Sequence, residues 1–167
     1  PLGRRPSPPE STVAATLEDM SYIFPAPVVG DIETSLLNKT KRIDLKWPWP
    51  LARQELTTIR PPPSDINNWV IATLEPRQGR TSFDERLDPI YSNFFAGEAG
   101  AEQGLTLHHF KNESPYGDSD LLVSPKGKVI RCDKQASILG PVICERLVPL
   151  SPGVMLRLRF SRKRAGE

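Results

Sequence analysis

The chain has 167 residues and a formal net charge of +2, from 22 basic and 20 acidic side chains. This near balance argues against a nucleic-acid-binding protein, and no apolar run approaches the roughly 18 residues of a membrane span. Proline is the outlier with 18 residues, which is about twice the usual frequency of roughly 5%.

Residues 1–10, PLGRRPSPPE, are too rich in proline to pack into a core. We expect them to form a disordered linker of the kind that joins a membrane anchor to a folded domain. Residues 11–161 are then expected to form a single domain, and the basic residues 162–167 a disordered tail. The chain starts without methionine, so a cleaved signal or an anchor upstream is compatible with it.

The first half of the domain alternates between short apolar segments and prolines. Residues 11–24 fit either a short helix or a strand. In KRIDLKWPWP, the apolar residues Ile43, Leu45 and Trp47 alternate with charged ones. This period of two predicts a strand, and the following Pro48 and Pro50 either end it or confine it to a sheet edge. Residues 69–74 predict a second, buried strand.

The clearest helical pattern lies in residues 82–95, SFDERLDPIYSNFF. Ser82 and Glu85 have the spacing of a capping box. Six apolar residues recur at helical intervals: Phe83, Leu87, Ile90, Tyr91, Phe94 and Phe95. Pro89 conflicts with a straight helix, so a kink or a second segment is expected there. We expect this apolar stripe to cover one face of a sheet.

The second half of the domain predicts strands joined by short turns. GLTLHHFKN alternates, DLLVSPKGKVIRCD has the pattern of a hairpin, and PVICERLVPL and VMLRLRFSR are further strands. In the last strand, Val154, Leu156, Leu158 and Phe160 are expected to face inward, with Met155 outward. The predicted fold class is α+β, a mostly antiparallel sheet with one principal helix packed on one face.

The two cysteines, Cys132 and Cys144, fit three kinds of site. A zinc site needs about four ligands, and the adjacent His108 and His109 would point to opposite sides of a strand. A thioredoxin-type pair has two residues between its cysteines, whereas eleven intervene here. A disulfide between neighbouring strands fits better than free buried thiols or a catalytic pair. It would imply the periplasm or another oxidising compartment.

Catalytic signatures are absent from the sequence. It contains no GxSxG, HExxH, P-loop or GxGxxG motif. We therefore expect no enzyme activity and no metal or cofactor site. An unrecognised hydrolase is the weakest alternative, and it would use the residues His108, His109, Asp118 and Asp120.

Five residues are candidate contacts with a protein partner. Tyr116, Asp118 and Asp120 lie in a turn-rich segment, and Arg157 and Arg159 alternate along the last strand. Without a partner, the two arginines would simply form a solvated strand face that protects a sheet edge.

Several segments together carry a resemblance to a known group. RIDLKWPWP, ERLDPIYSNFF, GLTLHHFKNESPYGDSDLLV, the two cysteines and LRLRF follow one another over residues 40–161. In this the chain resembles small, uncharacterised alphaproteobacterial envelope proteins with one N-terminal membrane span and a periplasmic domain. The resemblance matches Tyr91, Tyr116 and the two cysteines, implies that Cys132 and Cys144 close the last hairpin, and implies no established activity.

These observations predict a protein-binding function. The leading expectation is a non-enzymatic periplasmic binding or accessory domain of a membrane-anchored envelope protein, tethered to the inner membrane and acting through a protein partner. The alternative is a periplasmic immunity protein that neutralises a delivered toxin. No nucleic-acid partner is expected.

Overall fold

A computed structural model of the protein describes residues 11–49, 68–136 and 140–167. These residues form eleven strands: Thr12–Leu17 (β1), Met20–Pro25 (β2), Val29–Thr34 (β3), Thr40–Pro48 (β4), Trp69–Pro76 (β5), Phe95–Glu102 (β6), Leu105–Phe110 (β7), Ser119–Val123 (β8), Val129–Asp133 (β9), Ile143–Pro149 (β10) and Val154–Ser161 (β11). The α-helix of this described part is α1, Phe83–Arg86. The predicted linker, residues 1–10, lies outside the described residues.

Nine of the strands form one antiparallel sheet, in the order β3-β4-β5-β11-β10-β9-β8-β7-β6. The other two, β1 and β2, pair only with each other. The last strand, β11, is inserted at the centre, between β5 and β10. The predicted, mostly antiparallel sheet is therefore confirmed, and the segment 11–24 is a hairpin rather than a helix.

The two faces of the sheet are covered at different places. The back face carries Ile43 and Leu45 of β4, and these side chains are buried together with Leu74 of β5 and Leu17 of β1. The β1–β2 hairpin thus covers the back of β4 and β5. Because successive strand residues alternate between faces, Arg42 and Asp44 of β4 lie on the front face.

A second core lies on the front face, over β7, β8 and β9. Phe110, Leu121 and Val129 project from these strands and are buried under Phe83 and Tyr91. The rings of Tyr91 and Phe110 meet edge to face, with their centroids 5.6 Å apart. The apolar stripe of residues 82–95 therefore covers one sheet face, as the sequence predicted.

The prediction of one principal helix is wrong. The capping box is present, since Ser82 Oγ accepts from Glu85 N at 3.3 Å and Glu85 Oε2 accepts from Ser82 N at 2.6 Å. The helix that follows nevertheless has four residues, Phe83–Arg86. Asp88 precedes Pro89, and this position disfavours helical backbone while the proline lacks a donor. The stripe continues only as a 3-10 helix, Tyr91–Phe94.

The predicted strands of the second half are confirmed, but the burial along β11 differs from the prediction. β8 and β9 form the expected hairpin, with Val123 opposite Val129. Along β11, Val154 is buried as predicted, but Met155 is buried as well, at 1% exposure. Both sides of the sheet are covered at this end of β11. Further along, Leu156, Arg157 and Leu158 are all half-buried and Ser161 is buried, so the predicted alternation of buried and exposed residues is not seen in the burial of β11.

The predicted disordered tail, residues 162–167, is ordered. Arg162–Arg164 is a 3-10 helix, and Ala165 is buried beside the back-face residues Leu122 and Ile130. Arg164 Nη2 donates to Asn68 Oδ1 at 2.9 Å. Arg164 thus has a partner that is distant in the sequence, which the local charge pattern did not reveal.

The ladder between β9 and β10 is short, with two residue pairs, Cys132 with Cys144 and Arg131 with Glu145. The two cysteines face each other directly, with 4.0 Å between their Cα atoms, and the structure contains the predicted disulfide. We call this junction the seam. It joins β3-β4-β5-β11-β10 on one side to β9-β8-β7-β6 on the other.

Among the described residues, no helix has the length and apolar character to span a bilayer.

Candidate functional site

The front face of β4, β5 and β11 carries polar side chains in cross-strand rows. Asp44, Thr73 and Arg157 are directly opposite one another across the three strands. The next row contains Lys46, Ile71 and Arg159. Residues paired in this way project on the same side of a sheet and lie about 5 Å apart. The strand alternation therefore brings together charges from three separate parts of the chain.

Hydrogen bonds fix part of this surface. Asp44 accepts from Arg42 Nε and from Thr73 Oγ1, each at 2.9 Å. Glu75 accepts from Arg157 Nη2 at 2.8 Å, and Arg80 lies 3.1 Å from the same carboxylate oxygen. The two acidic side chains are thus each held by arginine.

Lys46 and Arg159 differ from these arginines, which are paired with carboxylates. They line a shallow cavity of about 450 Å³ on the front face together with Asp44 and Arg157. Within the described part of the chain, neither Lys46 nor Arg159 forms an ion pair. Two strand spacings separate them, which corresponds to roughly 9.5 Å. The surface therefore offers two available positive charges at a fixed spacing, which suits a partner with carboxylates.

The structure separates the five predicted contact residues. Arg157 and Arg159 lie on this front face, and Arg159 is exposed. Asp118 is also exposed, but it precedes β8, which is three strand positions from β11. That distance is roughly 14 Å. The five residues therefore do not form one continuous patch.

Tyr116 serves the aromatic core. Its ring lies edge to face with Tyr91 at a centroid distance of 5.0 Å and with Phe94 at 5.5 Å. Phe110 is also in contact, at 5.2 Å. Tyr116 is half-buried, and these contacts assign it to the packing of the fold.

Asp120 is 4% exposed and lies in a network of charged side chains. Its carboxylate accepts from Arg162 Nη1 at 2.8 Å and is 2.8 Å from His109 Nδ1. Arg162 also donates to both oxygens of Glu102, at 2.8 and 2.7 Å. These contacts hold the pKa of Glu102 below its ordinary value, chiefly through the hydrogen bonds from Arg162. Asp120 is therefore used inside the fold and is not a surface contact.

Of the four residues in the hydrolase alternative, the structure brings together two. His109 and Asp120 are hydrogen-bonded, whereas His108 lies on the opposite face and stacks on Phe95 at 4.2 Å. Burial lowers the pKa of His108. In the described part of the chain, the one hydrogen bond of the His109 ring is to Asp120. Among the described residues, no serine, threonine or cysteine is hydrogen-bonded to this ring.

Possible metal ligands are scattered over residues 11–49, 68–136 and 140–167. These ranges contain no group of three or more histidine, cysteine, aspartate or glutamate side chains placed to hold an ion.

The sequence missed the contributions of Lys46 and Glu75. The alternation in KRIDLKW placed Lys46 on an outer strand face, but nothing local distinguishes it from any solvated lysine. Its significance depends on Arg159, which is 113 positions later in the chain and reaches the same face through the β5–β11 ladder.

Comparison with known proteins gives one informative match. No protein-family model matches the sequence, and no curated protein matches it. Among solved structures, the fold is similar to that of Smlt3025, an immunity protein of the Stenotrophomonas maltophilia type IV secretion system. The two chains are 15% identical, with a TM-score of 0.53, and the similarity covers 92% of this chain and 85% of the other. At this identity the likeness is one of fold.

Proposed function

We propose that this protein is a non-enzymatic immunity protein that binds a toxin in the periplasm and neutralises it. The fold likeness to an immunity protein, which extends over 92% of the chain, carries the proposal. Function does not follow from fold alone. The proposal therefore also uses the disulfide and the chemistry of the front face.

The disulfide supports the compartment. Cys132 and Cys144 are bonded across the seam, and such bonds persist in oxidising spaces such as the periplasm. An inner-membrane tether, and the resemblance to alphaproteobacterial single-span envelope proteins, stay predictions.

The front face supports the mode of action. Lys46 and Arg159 are positive charges held on a sheet without an internal ion pair in the described chain, and they suit an acidic surface on the toxin. Binding of this kind needs no cofactor. The accessory-domain reading predicted first shares this chemistry, but the fold likeness favours the immunity protein.

The experiment is a protection assay. Products of the genes that flank this one are expressed singly in the periplasm of a susceptible host, with and without this protein in the same compartment. We expect one product to stop growth and this protein to restore it. A version kept in the cytosol should not protect. If no flanking product is both toxic and bound by the purified protein, the proposed function is wrong.

A further inference from the structure

The turn between β3 and β4 has a rigid backbone. Ser35 N donates to Lys39 O at 2.8 Å, and Asn38 N donates to Ser35 O at 2.9 Å. Asn38 has a φ of 57°, in the left-handed region that asparagine tolerates better than most residues. A turn closed by a left-handed residue is a common hairpin connection.

The hydroxyl of Ser35 secures the turn further. Its oxygen accepts from Leu37 N at 3.3 Å and from Lys39 N at 3.2 Å. The turn is therefore held by backbone groups and one serine. Nothing in its geometry requires the two leucines at its tip.

These leucines, Leu36 and Leu37, are 105% and 80% exposed. Turn tips usually carry glycine, asparagine, aspartate or serine. An exposed leucine adds no packing to its own fold, and its burial becomes favourable only against another surface. Because the turn is already fixed, little conformational entropy is lost when it docks. The pair thus has the properties of a preorganised binding anchor.

The surroundings indicate what the anchor fits. Lys39 and Lys41 follow the leucines, are exposed, and have no ion pair within the described residues. Glu33, on the other strand, lies 3.5 Å from Arg42, which is itself bound to Asp44 of the front face. The tip is therefore continuous with the front face. A convex apolar tip beside unpaired lysines fits an apolar pocket with carboxylates at its rim.

We infer that the β3–β4 turn is the anchor by which the protein binds its toxin. Leu36 and Leu37 fill an apolar pocket on the toxin, and Lys39 and Lys41 meet acidic groups at the rim of that pocket. This inference rests on the proposed function and specifies the contact that confers it.

Two other occupants fit less well. An anionic bilayer is a weaker candidate because two leucines bury little area in a membrane. A second copy that docked tip to tip through a two-fold axis would bring Lys39 and Lys41 of both chains together, which like charges oppose.

The test uses the full chain and the purified toxin identified among the flanking gene products. A variant with Leu36→Ser and Leu37→Ser should bind the toxin at least about 100-fold more weakly by calorimetry, as expected for a buried anchor. Its urea unfolding curve should match that of the unchanged protein, because both side chains are exposed. The control is Ile90→Ser, which changes an exposed aliphatic residue beside the front-face aromatic core and should keep full affinity.

The outcomes separate the two claims. If the unchanged protein binds no flanking product, the proposed function fails, and this inference fails with it. If the leucine variant binds as tightly as the unchanged protein, the anchor is wrong while the proposed function stands. Leucine-dependent sedimentation with phosphatidylglycerol vesicles, or a leucine-dependent dimer in ultracentrifugation, in the absence of an effect on toxin binding would likewise overturn the anchor.

Discussion

Arg162 neutralises two carboxylates at once, and one of them belongs to the buried Asp120. The sequence assigned Arg162 to a disordered basic tail because its neighbours are Lys163 and Arg164. Its actual partners lie 42 and 60 positions earlier in the chain. A run of charges considered alone predicts a solvated chain end. Arg162 reaches Asp120 only because the order of strands in the sheet brings the end of β11 close to β8.

Removing the Arg162 side chain should leave the buried Asp120 without its arginine partner and in contact with the His109 ring. Arg162→Ala is expected to lower the free energy of unfolding by about 3 kcal/mol, the cost of breaking a buried ion pair. Urea denaturation measures this value, with the exposed Lys163→Ala as control. Adding Asp120→Asn should recover part of the loss. An Arg162→Ala effect no larger than that of the control would contradict the assignment.

Glu102 gives the network a dependence on pH. Its folded pKa is lowered from an ordinary value of about 4.5, mainly by the hydrogen bonds from Arg162. A group with a lowered folded pKa stabilises the protein above its unfolded pKa, and this stabilisation is lost as pH falls through the folded pKa. Stability should therefore decrease on acidification below about pH 4.5, and less steeply in Glu102→Gln.

Urea midpoints measured between pH 7 and pH 3 would test this dependence. The control is Glu113→Gln, which removes an exposed carboxylate that has no ion pair in the described chain. Parallel curves for Glu102→Gln and the unchanged protein would show that Glu102 contributes nothing to acid stability.

The strands were more predictable than the helix. Alternation in KRIDLKW predicted β4, and Ile43 and Leu45 are indeed buried on one face. Tyr91 was correctly placed against a sheet face by its spacing from neighbouring aromatics. The backbone of residues 82–95 was predicted wrongly, because the apolar residues keep their helical spacing although Pro89 prevents a continuous helix. The spacing of apolar residues shows which side chains share a face. It is a poorer guide to the backbone conformation that connects them.

Half of the proposed binding surface was predictable from the sequence. Arg157 and Arg159 were found from the alternation of β11. Lys46 was not found, because its relation to Arg159 arises from strands that pair across the sheet. Element-level patterns therefore show that a strand has a polar face, while the set of strands that shares this face follows only from the topology.

The Lys46 and Arg159 row gives a prediction about binding. Replacing both with glutamate should weaken toxin binding by at least about tenfold and slow association most at low salt, since complementary charge acts chiefly on encounter. Association rates measured at two salt concentrations would show this. The control is a change of Lys126 to glutamate, which alters an exposed cation in the turn between β8 and β9, away from the row. Equal rates for the row variant and the unchanged protein would remove the front face from the interface.

The seam makes the whole molecule sensitive to reduction. The backbone ladder across the seam has two residue pairs and one disulfide, whereas β10 and β11 share seven pairs. The ion pairs of Arg162 with Glu102 and Asp120 also cross the seam. Reduction should cost about 3 kcal/mol in the chain-entropy model. Because the reduced protein would keep only this short ladder and side-chain contacts such as those of Arg162 between the halves, reduction should also let them unfold separately.

Segment-resolved hydrogen exchange in increasing urea would test this separation. In the oxidised protein, amides of β4 and β8 should exchange together at the global transition. After reduction, those of β8 should exchange at lower urea than those of β4. A double Cys132→Ser, Cys144→Ser variant should behave as the reduced protein. Coincident transitions in both redox states would contradict a weak seam.

The central position of β11 has a consequence for biosynthesis. β5 is complete at Pro76, but its second partner ends at Ser161. During translation, β5 therefore waits with one edge unpaired until 85 further residues have been made. A nascent chain of this kind stays open, prone to aggregation and accessible to chaperones until its last strand is released. On the proposed periplasmic location, that delay would keep the chain in a transportable form until it has crossed the membrane.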